Sequence, residues 1–75
     1  MTTNQPVEDV RVDGEVIRLG QFLKLAGLID SGANAKEAVM DGDVLVNGAT
    51  ELRRGYQLKD GDLVTFQDRS ARVRY

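Results

Sequence analysis

The spacing of apolar residues predicts a helix in the first half of the chain. Phe22, Leu23 and Ala26 lie three, four and seven residues after Leu19. This spacing places all four side chains on one face of an α-helix. Gly27 comes directly afterwards and is typical of the residue at which a helix ends.

A second helix is predicted between Ser31 and Gly42. Ser31 suits the N-cap position, and a glycine again follows the last helical turn. Ala35, Ala38 and Val39 form a narrow apolar face, so another helix can approach it closely. Because the link between the two helices is short, we expect them to pack as a pair.

Asn47-Gly48 is the strongest turn signal in the chain, and it follows the apolar run 44–46. Asn-Gly supplies the positive φ angles of a type I′ turn, so these residues predict a hairpin with a return strand over 49–52. Another strand is predicted over 62–66, because an apolar run there follows Asp and Gly residues typical of a turn.

Both ends of the chain are also predicted to contribute strands. Residues 7–19 alternate around Asp13-Gly14 and predict a short, acidic N-terminal hairpin, and residues 71–75 predict an edge strand. The order of strands, two helices and strands predicts an α+β fold. In this fold two packed helices lie against a small, mainly antiparallel sheet.

Composition narrows the possible chemistry. The chain has 75 residues with no Cys and no His, so it lacks disulfides, thiolate ligands and the usual general base. The Asp-Gly-Asp stretches at 41–43 and 60–62 fall short of the roughly six oxygen ligands that calcium needs. We therefore predict a protein that is not an enzyme, with no catalytic residue, metal or cofactor.

Length and hydropathy predict one domain outside the membrane. Residues 1–6 are expected to form a flexible tail, and 7–75 a single domain. No apolar run approaches the roughly 20 residues that span a bilayer. Residues 1–9 lack the pattern of a secretory signal, so we expect a cytoplasmic protein.

The charge is spread unevenly along the chain. The formal net charge is −2, yet Arg53 and Arg54 stand side by side shortly after the predicted hairpin. Charges are screened over about 8 Å at physiological salt, so a local basic patch can bind anions even on an acidic chain.

Residues 16–66 resemble the RNA-binding domain named after bacterial small-subunit ribosomal protein four, also called the alpha-L motif. They are most similar to the small bacterial proteins built from this domain alone. The resemblance rests on Arg18-Leu19 at the first helix, the Ser31 cap, Ala35-Lys36, Val46-Asn47-Gly48 and Gly61-Asp62.

The resemblance implies a non-catalytic, monomeric protein that binds ribosomal, transfer or other structured RNA. It implies a binding surface formed by the two helices and the loop after the following hairpin. Gly20 stands where many members of the family have an acidic residue, and Gly32 where many have arginine. Carried over by position, the RNA-binding residues are Gln21, Lys24, Ser31, Gly32, Lys36, Arg53 and Arg54.

Elementary chemistry favours the same surface. The start of the second helix offers N–H groups to a phosphate, and Lys24 and Lys36 are expected to flank it. Paired arginines can bind phosphates bidentately or stack on bases. We therefore predict that Lys24, Lys36, Arg53 and Arg54 converge on one face.

Other interpretations of the same residues remain open. A lone lysine on a helix is usually just solvated. Arg53 and Arg54 could form a solubilising loop, or could pair with Glu51, Asp60 or Asp62. The alternative function is a protein-protein interaction module that uses the acidic N-terminal hairpin.

Overall fold

The computed structural model describes residues 7–14 and 16–75, so the predicted tail over 1–6 lies outside the described residues. The described part of the chain forms two helices, seven strands and the loops between them. In chain order they are β1 Val7–Arg11, β2 Ile17–Arg18, α1 Leu19–Leu25, α2 Gly32–Met40, β3 Val44–Val46, β4 Ala49–Thr50, β5 Gln57–Leu58, β6 Leu63–Phe66 and β7 Arg69–Arg74.

Both predicted helices are confirmed, together with the residues that begin and end them. The hydroxyl oxygen of Ser31 accepts a hydrogen bond from the N–H of Asn34 at 3.1 Å, which caps α2. After α1, Gly27 takes a φ of 72°, and after α2, Gly42 takes a φ of 81°. Glycine adopts this left-handed backbone without steric cost, which is why both helices end there.

The apolar faces of the two helices share one core with the larger sheet. Phe22 is completely buried, as expected from the stripe on α1, and Phe66 is half-buried against the same core. The buried residues of the helices are Leu19, Phe22, Leu23, Ala35, Ala38 and Val39, and those of the larger sheet are Val44, Val46, Val64, Ala71 and Val73.

The larger sheet has the strand order β1-β7-β6-β3-β4, and a separate small sheet pairs β2 with β5. The α+β class is therefore confirmed, but the larger sheet is mixed. Its longest pairing, between β1 and β7, is parallel and runs over five residue pairs. "Mainly antiparallel" describes this sheet only roughly.

The predicted N-terminal hairpin is wrong. Although Gly14 does take a positive φ of 114°, β1 pairs with β7 and β2 pairs with β5. Pairing with β7 gives β1 five partners, whereas β2 has only two residues to offer. Residue 15, which belongs to the predicted hairpin, lies outside the described residues.

The prediction of a C-terminal edge strand is also wrong, because β7 lies between β1 and β6. Val73 points into the core, and Arg72 and Arg74 lie on the opposite side of the strand. There Asp9 of β1 comes within 3.9 Å of Arg72 and 3.7 Å of Arg74. Alternation correctly indicates one buried face, but it carries no information about the neighbouring strands.

The hairpin at Asn47-Gly48 is confirmed, with φ angles of 53° and 84°. The Asn47 side chain also donates to the buried carboxylate of Asp62 at 3.0 Å and accepts from the N–H of Leu63 at 2.9 Å. The same carboxylate accepts from the N–H of Lys59 at 2.8 Å. The Asp-Gly-Asp stretch at 60–62 thus organises the turn before β6.

Tyr75 ties the small sheet to the end of β7. Its hydroxyl accepts from the N–H of Ile17 at 2.9 Å and donates to the carbonyl oxygen of Leu58 at 2.7 Å. Its own N–H donates to the Asp60 carboxylate at 2.9 Å. The hydroxyl thus holds β2, which precedes α1, and β5, which follows the loop that carries Arg53 and Arg54.

Candidate functional site

An open groove of about 470 Å³ lies between α1, the start of α2 and the loop 53–55. We call it the helix groove. Of the eight described residues that line it, three are basic and none is acidic, so it is locally positive although the chain is acidic. The lining residues are Arg18, Gly20, Gln21 and Lys24 at α1, Gly32 and Ala35 on α2, and Arg54 and Gly55 on the loop.

Backbone hydrogen bonds fasten the loop to the start of α1. The N–H of Leu19 donates to the carbonyl oxygen of Tyr56 at 2.8 Å, and the N–H of Gly20 donates to that of Arg54 at 3.0 Å. The first N–H groups of a helix have no acceptor within the helix. Here the loop supplies acceptors, so these two groups are not available to a ligand.

Arg18 links the loop to α1 from the other side. Its Nη1 donates to the carbonyl oxygen of Gly55 at 3.0 Å. Its backbone N–H donates to Oε1 of Gln21 at 3.2 Å, which fixes the Gln21 side chain at the start of the helix. Both side chains therefore have structural partners and still line the helix groove.

Gly20 allows Arg54 to lie directly on α1. A Cβ at position 20 would stand 2.6 Å from Cγ of Arg54 and 3.1 Å from its Cδ. Carbon atoms in favourable contact are about 3.5 to 4.0 Å apart, so any side chain at position 20 would displace Arg54. The absence of a Cβ at Gly20 thus leaves room for the stem of the Arg54 side chain against α1.

On the opposite wall of the groove, Lys24 crosses the start of α2. A Cβ at Gly32 would stand 4.0 Å from Cδ of Lys24, so the lysine stem passes close to the bare backbone of the first turn. A helix N-terminus carries the positive end of the helix dipole. Lys24 and the first turn of α2 therefore place positive charge on the same side of the groove.

The structure brings together four of the seven residues predicted for the site. These four line the helix groove and are Gln21, Lys24, Gly32 and Arg54. Ser31 and Lys36 do not line it: the Ser31 hydroxyl caps α2, and Lys36 is exposed one helical turn beyond Gly32. Arg53 lies outside this groove as well.

Arg53 is held by Glu51, one of the alternatives that the sequence left open. Its Nε lies 2.8 Å and its Nη2 3.2 Å from the two carboxylate oxygens of Glu51. The hydrogen bond from Arg53 lowers the pKa of Glu51, and the pairing raises the pKa of Arg53. The guanidinium carbon also lies 5.0 Å from the centre of the Tyr56 ring. Arg53 and Arg54 are thus neighbours in sequence with different surroundings.

The arginines of β7 face acidic residues of β1. Arg69 lies 4.0 Å from Glu8, and both Arg72 and Arg74 lie within 4.0 Å of Asp9. Their positive charge is therefore offset locally, in contrast to the helix groove.

Sequence reasoning missed three residues that shape the site, namely Arg18, Gly20 and Gly55. The sequence marks Arg18 only as the start of the first helix. The contact between Gly20 and Arg54 joins positions far apart in the chain, so no local pattern reveals it.

Within the described residues, no helix is both long enough and apolar enough to cross a membrane. These residues also contain no group of three or more acidic, His or Cys side chains that could hold a metal ion.

Comparison with known proteins places most of the chain in one family. The sequence model of the S4 domain family matches residues 10–74 of the chain. The chain is 47% identical over 58 residues to the probable ribosome maturation protein RlbA of Bacillus subtilis, covering 77% of this chain and 82% of that protein. It is 40% identical over 57 residues to the putative RNA-binding protein YbcJ of Escherichia coli, covering 76% and 81%.

The fold is also similar to a solved structure. The solution structure of E. coli YbcJ, described as revealing an alfaL motif involved in RNA binding, matches with a TM-score of 0.64 and 33% sequence identity. The match covers 100% of this chain and 94% of that one. A tyrosine–tRNA ligase of Burkholderia lata is 33% identical over 58 residues, which are only 14% of the ligase.

Proposed function

Because the chain belongs to the S4 domain family, as its sequence predicted, we propose that it binds structured RNA through the helix groove. The observation that carries this proposal is the set of basic residues, Arg18, Lys24 and Arg54, in a groove whose described lining residues include no acidic one. The putative RNA-binding protein YbcJ matches the chain over most of both lengths and supports the same function.

In this proposal phosphate contacts supply most of the affinity. Arg18 and Arg54 offer planar sets of N–H donors, and Lys24 adds a point charge beside the first turn of α2. Gln21 offers an amide to a sugar or base edge. Because none of the described residues that line the helix groove is aromatic, recognition there is by backbone and shape more than by base identity.

The proposal has consequences for partners and location. It describes a non-catalytic, monomeric, cytoplasmic protein that acts by binding RNA. The similarity to a probable ribosome maturation protein makes ribosomal RNA the first ligand to test, ahead of transfer RNA and other structured RNA.

The alternative function, a protein-protein interaction module, depends on the predicted acidic N-terminal hairpin. The acidic N-terminal hairpin is not formed, and Glu8 and Asp9 of β1 lie beside the arginines of β7. RNA binding is therefore the function to test first.

The test measures the dissociation constant for a ribosomal RNA stem-loop over a series of salt concentrations. We expect Lys24→Ala and Arg54→Ala each to flatten the slope of log affinity against log salt by about 0.7, because each removes one phosphate contact. Arg72→Ala is the matched control, since it removes the same charge from a side chain that pairs with Asp9. The proposal fails if both groove variants bind RNA like this control.

A further inference from the structure

A second groove lies next to the helix groove, on the other side of the loop 53–55. We call it the loop groove, and its lining residues are Arg18, Arg53, Gly55, Tyr56, Gln57 and Lys59. The two grooves share Arg18 and Gly55. Gly55 has no side chain, so the grooves are separated there by its backbone and by the Arg18 guanidinium, which donates to the Gly55 carbonyl oxygen at 3.0 Å and lines both grooves. A bound strand can therefore pass from one groove to the other.

We propose that the loop groove holds an unpaired nucleotide that continues from RNA bound in the helix groove. Its base stacks on the Arg53–Tyr56 pair, and its phosphate contacts Lys59. This inference rests on the proposed function and adds a preference for RNA in which a single-stranded segment flanks a stem.

The surroundings of Arg53 suit it to a base more than to a phosphate. Glu51 takes two of its N–H donors and offsets its positive charge, so a phosphate gains less there than at an unpaired guanidinium. The ion pair and the Tyr56 ring also fix the side chain in place, while 73% of its surface stays exposed. Guanidinium planes and aromatic rings are the groups on which unpaired RNA bases stack.

The stacking surface formed by Arg53 and Tyr56 is attached to rigid parts of the fold. Tyr56 is half-buried against the core. Its N–H donates to the carbonyl oxygen of Arg53 at 3.1 Å, and its own carbonyl accepts from Leu19 of α1 at 2.8 Å. The stacking surface is therefore largely formed before RNA binds, which lowers the entropic cost of binding.

Lys59 supplies a cation at the far side of the same groove. Its backbone is held by the Asp62 carboxylate at 2.8 Å, so the position of the residue is fixed. Within the described residues, no carboxylate lies within 4.0 Å of its ammonium group. Unlike the Arg53 guanidinium, the Lys59 ammonium makes no ion pair within the described residues, so it can contact a phosphate.

Together these features predict which RNA is preferred. Bases inside an A-form stem are stacked on one another and cannot reach a platform on the protein. An overhang or bulge next to the stem can supply the unpaired base. Stacking of one base adds a factor of about five or more to affinity.

The experiment compares RNAs that share one stem, either blunt or with a short 5′ or 3′ overhang. Dissociation constants are measured by fluorescence anisotropy. We expect the parent protein to bind one of the overhang RNAs at least about fivefold more tightly than the blunt stem. Arg53→Lys keeps the positive charge but lacks the planar guanidinium on which a base can stack. This variant should therefore lose the preference for the overhang and keep its affinity for the blunt stem. Lys59→Ala should also reduce the preference.

Arg54→Ala is the control that separates this inference from the proposed function, because it should weaken binding of all the RNAs alike. Equal binding of blunt and overhang RNAs by the parent, or an undiminished preference in Arg53→Lys, would overturn the loop-groove inference alone. If the parent binds none of these RNAs, the proposed function itself fails.

Discussion

Replacing Gly20 with Ala tests whether the position of Arg54 matters for binding. The new Cβ would lie 2.6 Å from Cγ of Arg54, so that side chain has to move. The Arg54 carbonyl oxygen, in contrast, would lie at 3.6 Å, an ordinary contact distance. The loop backbone can therefore stay in place while the guanidinium leaves the helix groove.

The effects on stability nearly cancel. Ala in place of Gly favours a helix by up to about 1 kcal/mol. Moving Arg54 away from its preferred rotamer costs roughly 0.5 to 1.5 kcal/mol. The free energy of unfolding should therefore change by less than about 1 kcal/mol in either direction, which corresponds to a shift in Tm of no more than about 8 °C.

The effect of Gly20→Ala on RNA binding has no compensating gain. Losing one phosphate contact flattens the salt slope by about 0.7, which lowers affinity about fivefold near 0.1 M salt. The assays are thermal unfolding by circular dichroism and RNA binding over a salt series. Gly32→Ala is the matched control for stability, because its Cβ would lie 4.0 Å from Cδ of Lys24 and displaces nothing. Arg72→Ala is the control for binding, because that side chain lies outside the helix groove and pairs with Asp9.

Two results would refute this reasoning. If Gly20→Ala keeps the parent's slope and affinity, then Arg54 does not need to lie on α1 in order to bind RNA. If the variant is destabilised by more than about 3 kcal/mol, the loop backbone moves as well and the structural premise is wrong.

Three further predictions concern the groove, the core and the loop. Gly32→Arg should steepen the salt slope by about 0.7, because it adds a cation beside Lys24 without a close contact, and an unchanged slope would place the RNA elsewhere. Ala38→Leu should lower the free energy of unfolding in urea by about 1 to 3 kcal/mol through overpacking, and an unchanged midpoint would mean that the buried face of α2 is misassigned. Arg53 lowers the pKa of Glu51, so their pairing stabilises the fold above the ordinary Glu value of 4.5 and is lost as pH falls through the lowered value. Glu51→Gln should therefore show a smaller drop in Tm on acidification than the parent, and an identical drop would show that the pair does not stabilise the fold.

Local signals predicted the helices and the central hairpin correctly. The stripe on α1, the Ser31 cap and the Asn47-Gly48 turn each depend on residues a few positions apart. Such features are encoded mainly by the local sequence. Periodicity and turn chemistry are therefore sufficient to identify them.

Strand partners could not be predicted in the same way. The alternation in β7 showed that one face is buried, but its position beside β1 depends on a contact between the two ends of the chain. The sequence marks Tyr75 only as the end of the strand predicted over 71–75, yet its hydroxyl joins both strands of the small sheet. The pairing of β1 with β7 and the hydrogen bond between Ile17 and Tyr75 each join residues more than fifty positions apart.

The candidate site shows the same division. Lys24 and Gly32 belong to consecutive helices, so their proximity follows from helix pairing. Arg53 and Arg54 were expected to act together, but Glu51 holds one and the bare backbone of Gly20 admits the other. Neither contact follows from the side-by-side position of the two arginines in the sequence.

The central claim is that RNA occupies the helix groove, and mapping the amide chemical shifts of isotope-labelled protein during titration with a ribosomal RNA stem-loop tests it most directly. We predict that the largest shift changes fall on Gly20, Gln21, Gly32 and Gly55, with small changes along Arg69–Arg74. The largest changes along β1 and β7, with none in the helix groove, would contradict the claim.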